Sequence, residues 1–496
     1  MNYKSTRDNT VSVTAAEAIT RGLSAEGGLF VPESLPQLTA SDWELLRSQT
    51  YVDRAVTVLS RFLTDFSLEE VTDCASSAYT VEHFESTDIA PIYTLKNDTH
   101  ILELWHGPTC AFKDMALQIL PHLMRVSSQK TADGKEIVIL VATSGDTGKA
   151  ALEGFRDAPH TRIVVFYPEN GVSPMQKLQM TTQEGANVGV CAINGNFDDA
   201  QTGVKTIFTD HAVAEKMAKQ GQMLSSANSI NWGRLVPQIV YYISAYCDLV
   251  KQSKIRQGDP INIVVPTGNF GNILAAYYAR EMGMPVNRLI CASNCNNVLS
   301  DFIKTGTYDR NRAFHLTASP SMDILISSNL ERLLYHLSGE DAALVGEMMA
   351  ELKENGKYTI PASLLASLQG LFTAGWCDDA DTLQEIRATF EEEKYLCDTH
   401  TAVAKRVYRC YREQSGDTTP TVIASTANPY KFSASVLSAL NGDRDDLDEF
   451  EKVEALNALT GCPIPSSLLT LKDKVVRFTK VCERNEMEKA VFEFLK

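Results

Sequence analysis

Lys113 is a candidate for amine chemistry because of the residues on either side of it. It lies between Phe112 and Met115 at the end of the segment Glu103–Asp114, ahead of an apolar stretch that is predicted to form a helix. Burial and a nearby positive helix end both lower the pKa of an amine, and a lysine that forms a Schiff base or acts as a general base needs this. A solvated lysine at a helix edge is the alternative, and composition alone favours it.

A loop of serine, glycine and threonine, Thr143–Gly148, follows the apolar run Ile137–Ala142 directly. With Lys149 after it, the loop superficially resembles a nucleotide P-loop. The spacing fails, because Thr143 stands where the first glycine belongs and Ala150 where a magnesium-binding hydroxyl belongs. We therefore expect no nucleotide hydrolysis. A loop of this kind that opens a helix suits a carboxylate or another small anion.

The second loop, Gly268–Asn272, follows the apolar run Ile261–Val265. Its two glycines let the backbone turn and bring its N–H groups close to an anion. A phosphate monoester is the expected ligand, since the loop itself has no basic side chain and would bind the anion through its backbone N–H groups. Glycine turns between a strand and a helix are also common without a ligand, so both interpretations stay open.

Composition limits what kind of protein positions these segments. A chain of 496 residues is too long for one hydrophobic core, so two or three packed units are expected. Apolar residues make up 44% and charged residues 22%, which excludes a disordered protein. The formal charge of −16 argues against nucleic acid and anionic membranes as partners, but permits a small phosphorylated substrate.

Targeting and metal signals are also missing from the sequence. Residues 1–10 lack the apolar core of a signal peptide, and the longest apolar run falls far short of the ~20 residues that cross a bilayer. The eleven cysteines do not form a disulfide framework in a chain this long, and their spacing matches no paired zinc knuckle. We expect a soluble, cytoplasmic protein with no membrane partner and no metal site.

From Glu136 onwards, short β-branched runs alternate with amphipathic stretches. The runs are Ile137–Ala142, Arg162–Tyr167, Asn187–Ile193, Ile261–Val265, Arg288–Cys291 and Thr421–Ala424. This repetition predicts an α/β fold, in which helices cover both faces of parallel sheets and ligands collect where the strands end. Residues 328–398 are helix-rich without a comparable strand, so we expect a packed helical insertion or lid there.

Taken together, these segments resemble the fold-type II pyridoxal-phosphate enzymes and, more closely, the threonine synthase family. The motifs that match in order and spacing are HGPTCAFKD around Lys113, SGDTG at Ser144–Gly148, PTGNFGN at Pro266–Asn272, SSANSINWGR at Ser225–Arg234, SMDI at Ser321–Ile324, SNLER at Ser328–Arg332 and STANPYKF at Ser425–Phe432. The leading residues Ser5–Pro36 resemble the family's own N-terminal module. The resemblance covers nearly the whole chain.

The resemblance implies a tryptophan synthase β-like fold and a division of the chain. Residues 1–95 would form the N-terminal module and residues 96–496 the catalytic region. Within that region, residues 136–235 would form a smaller α/β subdomain, and residues 96–135 and 236–496 a larger one that contains the insertion.

The resemblance also implies the cofactor and the residues that hold it. Lys113 would carry pyridoxal 5'-phosphate as a Schiff base, and a hydroxyl from Thr426, or else from Ser425, would face the pyridine nitrogen. The cofactor's phosphate would lie on the backbone of the second loop, at Gly268, Asn269, Phe270, Gly271 and Asn272. A hydroxyl beside the ring nitrogen leaves the ring less fully protonated than a carboxylate would.

The substrate-binding residues implied fall into two groups. Ser144, Gly145, Asp146 and Thr147 would receive the substrate's carboxylate; Asp146 stands where many members of the superfamily have asparagine. The substrate's phosphate would bind at a second site, made by Asn228, Ser229, Asn231 and Arg234, and Lys177 is a second candidate for the cation there. A guanidinium binds phosphate bidentately, but Arg234 also opens a long apolar helix and could instead pair with an acid. His106 and His400 are candidates for polar packing or for substrate contact.

The reaction implied is conversion of O-phospho-L-homoserine and water into L-threonine and phosphate, the last step of threonine biosynthesis, by γ-elimination and β-addition. One alternative is a phospholyase that degrades phosphorylated hydroxyamino acids to a 2-keto acid. Another is a relative that binds phosphoesters without catalysis, although an intact Lys113 argues against it. The expected partner is the small-molecule substrate, and the expected state is a monomer or a homodimer.

Overall fold

The computed structural model describes residues 1–143 and 145–496, apart from the side chain of Asp198. The strands, in chain order, are β1 Tyr3–Ser5, β2 Asp8–Val13, β3 Phe30–Pro32, β4 Ile92–Thr94, β5 Thr99–Glu103, β6 Glu136–Ala142, β7 Thr161–Pro168, β8 Val188–Ile193, β9 Gln222–Ser226, β10 Ile261–Pro266, β11 Val286–Ser293, β12 Thr307–Asp309, β13 Lys357–Thr359, β14 Phe372–Trp376, β15 Thr421–Ser425 and β16 Val481–Cys482.

The helices, in chain order, are α1 Ala15–Arg21, α2 Ala40–Ser48, α3 Tyr51–Phe62, α4 Leu68–Ala78, α5 Val81–Phe84, α6 Asp114–Leu117, α7 Leu120–Thr131, α8 Asp146–Gly154, α9 Pro174–Thr181, α10 Phe197–Thr209, α11 His211–Lys219, α12 Trp232–Lys251, α13 Gly271–Glu281, α14 Val298–Thr305, α15 Leu330–Leu337, α16 Ala342–Asn355, α17 Ala362–Leu371, α18 Asp379–Glu393, α19 Thr399–Ser415, α20 Ser433–Asn441, α21 Glu449–Thr460, α22 Ser466–Leu469 and α23 Met487–Phe494.

Two parallel sheets form the body of the fold. The five-stranded sheet has the order β16-β8-β7-β6-β9, and all its pairs are parallel. The six-stranded sheet has the order β14-β11-β10-β15-β5-β4, and β4 alone runs antiparallel to its neighbour. Strands such as β6 are buried nearly throughout, as a continuous apolar run requires when helices cover both faces. The α/β fold predicted from the sequence is therefore confirmed.

The N-terminal residues form an antiparallel sheet of their own, β2-β1-β3; α1 lies between β2 and β3 in the chain, and α2 to α5 follow β3. This module is fixed to α15 by buried polar contacts. The Arg7 guanidinium donates two hydrogen bonds to the Glu331 carboxylate, at 2.7 and 2.8 Å. The Arg332 Nε donates to the Phe30 carbonyl at 2.9 Å. Glu331 and Arg332 belong to the SNLER motif, so this motif joins the module to the catalytic region.

The structure differs from the sequence expectations in two stretches. Residues 328–398 contain β14, an edge strand of the six-stranded sheet, and the short β13. β14 reads FTAGW and is only partly buried, so it lacks the apolar run that marked the other strands. The C-terminal β16 pairs with β8, which brings the end of the chain to the five-stranded sheet rather than to the larger subdomain. Two residues are too few to give a strand pattern.

Among the helices of the described residues, none combines the length and apolar character needed to cross a membrane.

Candidate active site

The two predicted loops and the Lys113 segment meet around one cavity. Helix α6 follows Lys113, α8 follows the first loop, and α13 follows the second, so three helix starts lie at the cavity. The predicted site residues that line it are Lys113, Asp146, Thr147, Asn228, Ser229, Arg234, Gly268, Asn269, Phe270, Gly271, Asn272 and Thr426. Segments far apart in the chain therefore converge where the parallel strands end.

Three predicted residues are not among those that the structure places at this cavity. Ser144 lies outside the described residues. Gly145 lies against the Gln176 side chain, and its backbone has a φ of 137°. Asn231 is fully buried, and its amide group donates to the Ile19 carbonyl at 2.9 Å. Asn231 also caps α12, so its observed contacts position that helix against α1.

Lys113 is held in place by its neighbours in the backbone rather than by its own side chain. The Phe112 N–H donates to the Thr426 carbonyl at 2.8 Å, which ties the segment to the end of β15. The Lys113 amine lies 3.6 Å from a carboxylate oxygen of Asp146 and 4.7 Å from the centre of the Phe112 ring. Burial lowers the pKa of Lys113, and the charges of Lys431 and Arg234 lower it further. The negative charge of Asp146 acts in the opposite direction and raises this pKa. The net shift of the pKa is downward, so the neutral, nucleophilic form of the amine is favoured.

Asp146 is a buried carboxylate with partners on both oxygens. One oxygen accepts from Lys431 at 2.6 Å and from Gln176 at 2.9 Å, and the other accepts from Ser321 at 3.1 Å. Burial opposes its ionisation, but Lys431 and Lys113 hold the pKa of Asp146 well below its ordinary value. Asp146 therefore stays charged and balances the two lysines.

Lys431 is the residue that sequence reasoning missed. It lies in the STANPYKF motif, but nothing in the neighbouring residues indicates that its amine reaches the active site. In the structure it is fully buried and also donates to the Thr109 carbonyl at 2.9 Å. Its position opposite Asp146 depends on packing between segments almost 300 residues apart.

Asp114 positions the turn in front of Lys113. It accepts hydrogen bonds from the Thr109 N–H and hydroxyl at 2.8 and 2.6 Å. Burial raises the pKa of Asp114 to about 6, although the Thr109 bonds act against this rise. A side chain at Gly107 would meet Asp114 within 2.5 Å, so the glycine of HGPT lets the turn close over this carboxyl group.

The second loop has the features of a phosphate cradle. Helix α13 begins after Phe270, which has a left-handed φ of 62°, and no side chain caps its first turn. The Nδ2 of Asn272 is buried and has no hydrogen-bond partner in the described part of the chain. A Cβ at Gly268 would lie 2.8 Å from the Ser321 carbonyl oxygen. Uncapped N–H groups and an unpaired amide fit the phosphate of the cofactor.

The two hydroxyl candidates at the end of β15 differ in their surroundings. The Ser425 hydroxyl accepts from the Trp105 ring N–H and from the Thr401 hydroxyl, both at 3.0 Å. Thr426 instead lines the cavity. Successive residues at a strand end face opposite sides, which explains why only Thr426 reaches the site.

Arg234 is buried beside Asn228 and Ser229 at the cavity wall. Its Nη1 donates to the Ala227 carbonyl, and its Nε has no hydrogen-bond partner among the described residues. No carboxylate in that part of the chain lies within 4 Å of it, so the acid pairing considered from the sequence is not seen. Burial lowers the pKa of Arg234 to about 10, which leaves it cationic at neutral pH.

His400 also lines the cavity, and its hydrogen bonds assign its tautomer. Its Nε2 accepts from the Ser321 N–H at 3.1 Å, so Nδ1 carries the proton and donates to Asp398 at 2.8 Å. The Ser321 hydroxyl in turn donates to Asp146, which lies beside Lys113, so these hydrogen bonds connect His400 to the lysine site. His106 instead pairs with Glu103 at 2.8 Å.

Comparisons with known proteins identify the family of the chain. Family models described as Threonine synthase N terminus, Pyridoxal-phosphate dependent enzyme, and Threonine synthase, C-terminal match residues 2–79, 91–426 and 401–491. A solved structure of PLP-bound threonine synthase from Brucella melitensis has a TM-score of 0.87 and 35% sequence identity, over 100% of this chain and 99% of that one.

Curated relatives extend the likeness. Threonine synthase-like 1 of Homo sapiens is 43% identical over 86% of this chain, but the chain spans only 58% of that relative's length. Threonine synthase of Schizosaccharomyces pombe is 35% identical over 90% of both proteins. The chain therefore belongs to the threonine synthase family of pyridoxal-phosphate-dependent enzymes.

Proposed function

We propose that this protein is a threonine synthase, which converts O-phospho-L-homoserine and water into L-threonine and phosphate. The observation that supports the proposal is that two groups of hydrogen-bond donors without partners among the described residues line the cavity that holds Lys113. The uncapped start of α13 provides one, and the buried, unpaired Nε of Arg234 marks the other. A reaction with one phosphate on the cofactor and another on the substrate requires two separate anion-binding groups at the same cavity.

The residues that would hold pyridoxal phosphate fit the group. Lys113 would bind its aldehyde carbon, the loop from Gly268 to Asn272 its phosphate, and Thr426 would face its ring nitrogen. When bound, this cofactor withdraws electrons from the substrate's α-carbon and so makes the α-proton acidic. The lowered pKa of Lys113 suits an amine that must be neutral to react.

Lys113 is also our candidate for the base. A free Lys113 amine would take the proton from the substrate's α-carbon, give it up, and then take one from the β-carbon; two protons return when the γ-carbon and the α-carbon of the product are protonated. Asp146, 3.6 Å away, would stabilise the ammonium that results. Its second oxygen faces Lys431, which keeps Asp146 ionised in both protonation states of Lys113.

The substrate's carboxylate would bind at the start of α8 through Thr147 and the backbone N–H groups there. The ionised Asp146 would repel a second carboxylate, so we assign it to the lysines rather than to direct substrate contact. Arg234, Ser229 and Asn228 would hold the substrate's phosphate as its carbon–oxygen bond breaks. Water then supplies the hydroxyl at the β-carbon.

Changing Lys431 to methionine is expected to move the acidic limb of the pH–rate profile to higher pH. The charge of Lys431 lowers the pKa of Lys113, so its removal raises that pKa and the neutral base then requires a higher pH. The measurement is kcat/KM from pH 6 to 9 for the holoenzyme, with Lys353→Met as control, since Lys353 is an exposed residue of α16. An unchanged limb in a folded, cofactor-loaded variant would contradict the coupling.

Product analysis tests the proposed function directly. The protein, loaded with pyridoxal phosphate, is incubated with O-phospho-L-homoserine, and threonine, phosphate and 2-oxobutyrate are measured. Threonine and phosphate in equal amounts are expected. Formation of 2-oxobutyrate instead of threonine would support a degradative phospholyase. Absence of turnover, with a colourless protein and no spectral change on borohydride treatment, would indicate a non-catalytic binding protein.

A further inference from the structure

A second cavity, of about 450 Å³, lies at the carboxyl ends of α6 and α8. The amino ends of the same two helices carry Lys113 and Asp146, so this cavity is at the far end of both. Among the described residues, the two cavities share no lining residue. Its volume falls within the roughly 300–1,000 Å³ of small-molecule sites, so it can hold a ligand of its own.

Hydrogen-bond donors line one wall of this cavity at helical spacing. Gln118 follows α6 directly and His122 and Arg125 lie in α7, at intervals of four and three residues, so the three share one face of this helical stretch. Gln118 is only 7% exposed, and its Nε2 has no hydrogen-bond partner in the described part of the chain. A buried N–H without a partner is rare, and it points to a ligand that accepts a hydrogen bond.

The charged side chains that line this cavity are Arg125, Arg156, Glu153 and Asp157, and they differ in whether they have partners. Glu153 pairs with Arg156 at 3.0 Å, and Asp157 accepts from the Ala186 N–H at 2.7 Å, so both acids have partners. Arg125 differs, because no carboxylate of the described residues lies within 4 Å of its guanidinium. A cation without a counterion and an amide without an acceptor therefore occupy the same wall.

His122 reports a positive environment at this wall. Burial lowers its pKa, and the charges of Arg125 and His83 lower it further. His83 reaches the cavity from α5, on the N-terminal module. An anion beside His122 would offset the positive charge of Arg125.

Part of the lining is apolar and stiff, because it consists of Pro108, Pro121 and Pro159. Fixed proline rings offer contact area at a low cost in conformational entropy. We propose that this cavity binds a small organic anion, with its phosphate or carboxylate group on Arg125 and Gln118 and its carbon skeleton against the prolines. This ligand is separate from the substrate of the active site.

The test is an NMR titration of the holoenzyme labelled with ¹³C in its histidines. Inorganic phosphate and succinate are the probes, and His122→Gln assigns the His122 signal. A saturable shift of that signal is expected, with a Kd of about 1 mM or tighter for at least one probe. A response to phosphate alone identifies a phosphate site, and a response to succinate alone identifies a carboxylate site; both support the proposal.

Variants separate this cavity from the active site. Arg125→Met and Gln118→Leu should each weaken the response at least tenfold, and Arg125→Lys should restore part of it. The exposed Arg256→Met and the active-site variant Arg234→Leu should leave it unchanged. The proposal is wrong if neither probe gives a saturable shift, or if Arg125→Met and Gln118→Leu both bind as the wild type does.

Discussion

Replacing Lys113 with alanine is expected to abolish turnover, with a loss of about 10⁴-fold or more in kcat. In the proposed mechanism the same amine holds the cofactor and moves two protons, so no other side chain at the cavity can take over both tasks. The measurement is release of phosphate and threonine from O-phospho-L-homoserine by the purified variant. Turnover at the wild-type rate would remove the mechanism.

The fold of this variant is expected to remain intact. Lys113 has ordinary helical dihedrals and no side-chain capping bond, and its recorded ion pair is the 3.6 Å contact with Asp146. Lys431 still balances Asp146 after the change. Circular dichroism and thermal unfolding check this. The matched control is Lys353→Ala, which removes an exposed lysine of α16.

Hydride trapping adds an independent test of the same residue. Borohydride treatment of the wild-type holoenzyme should fix the cofactor on the peptide that contains Lys113, and the alanine variant should take no label there. A label on Lys431 instead would show that the wrong lysine of the buried pair has been assigned.

Replacing Arg234 with leucine is expected to raise the KM for O-phospho-L-homoserine by about 10² or more, because truncating one partner of a buried charge pair costs about 2–5 kcal/mol. The affinity for pyridoxal phosphate should change far less, since the cofactor's phosphate is assigned to the start of α13. Initial rates give the KM, and a spectroscopic titration gives the cofactor's Kd. Equal losses in both would mean that Arg234 is structural.

Arg234→Lys is the matched variant for this prediction. It keeps the positive charge but loses the planar fork that binds phosphate through two hydrogen bonds. We expect an intermediate KM, between those of the wild type and of the leucine variant. If lysine were as poor as leucine, loss of the Arg234 bond to the Ala227 carbonyl would be the better explanation.

The strands that carry the site could be predicted from sequence because their pattern is local. The run Ile137–Ala142 is β-branched and apolar without interruption, as a strand covered on both faces must be, and β6 spans it. The glycines of the second loop are also a local signal, because they predict a turn whose backbone can come close to a bound anion. β14 and β16 were missed, since an edge strand and a two-residue strand carry no such run.

The amino-acid sequence was enough to determine which groups were candidates for the site: a lysine in an apolar setting, glycine-rich turns after strands, and an arginine at a helix start. What only tertiary structure decided was how those groups are charged and which of them share a cavity. Asp146 pairs with Lys431, which is far from it in the chain, and Thr426, just after β15, lines the cavity while Ser425, at the end of β15, does not. Both outcomes depend on packing between distant segments, because the energy of a buried charge is set by its neighbours in space.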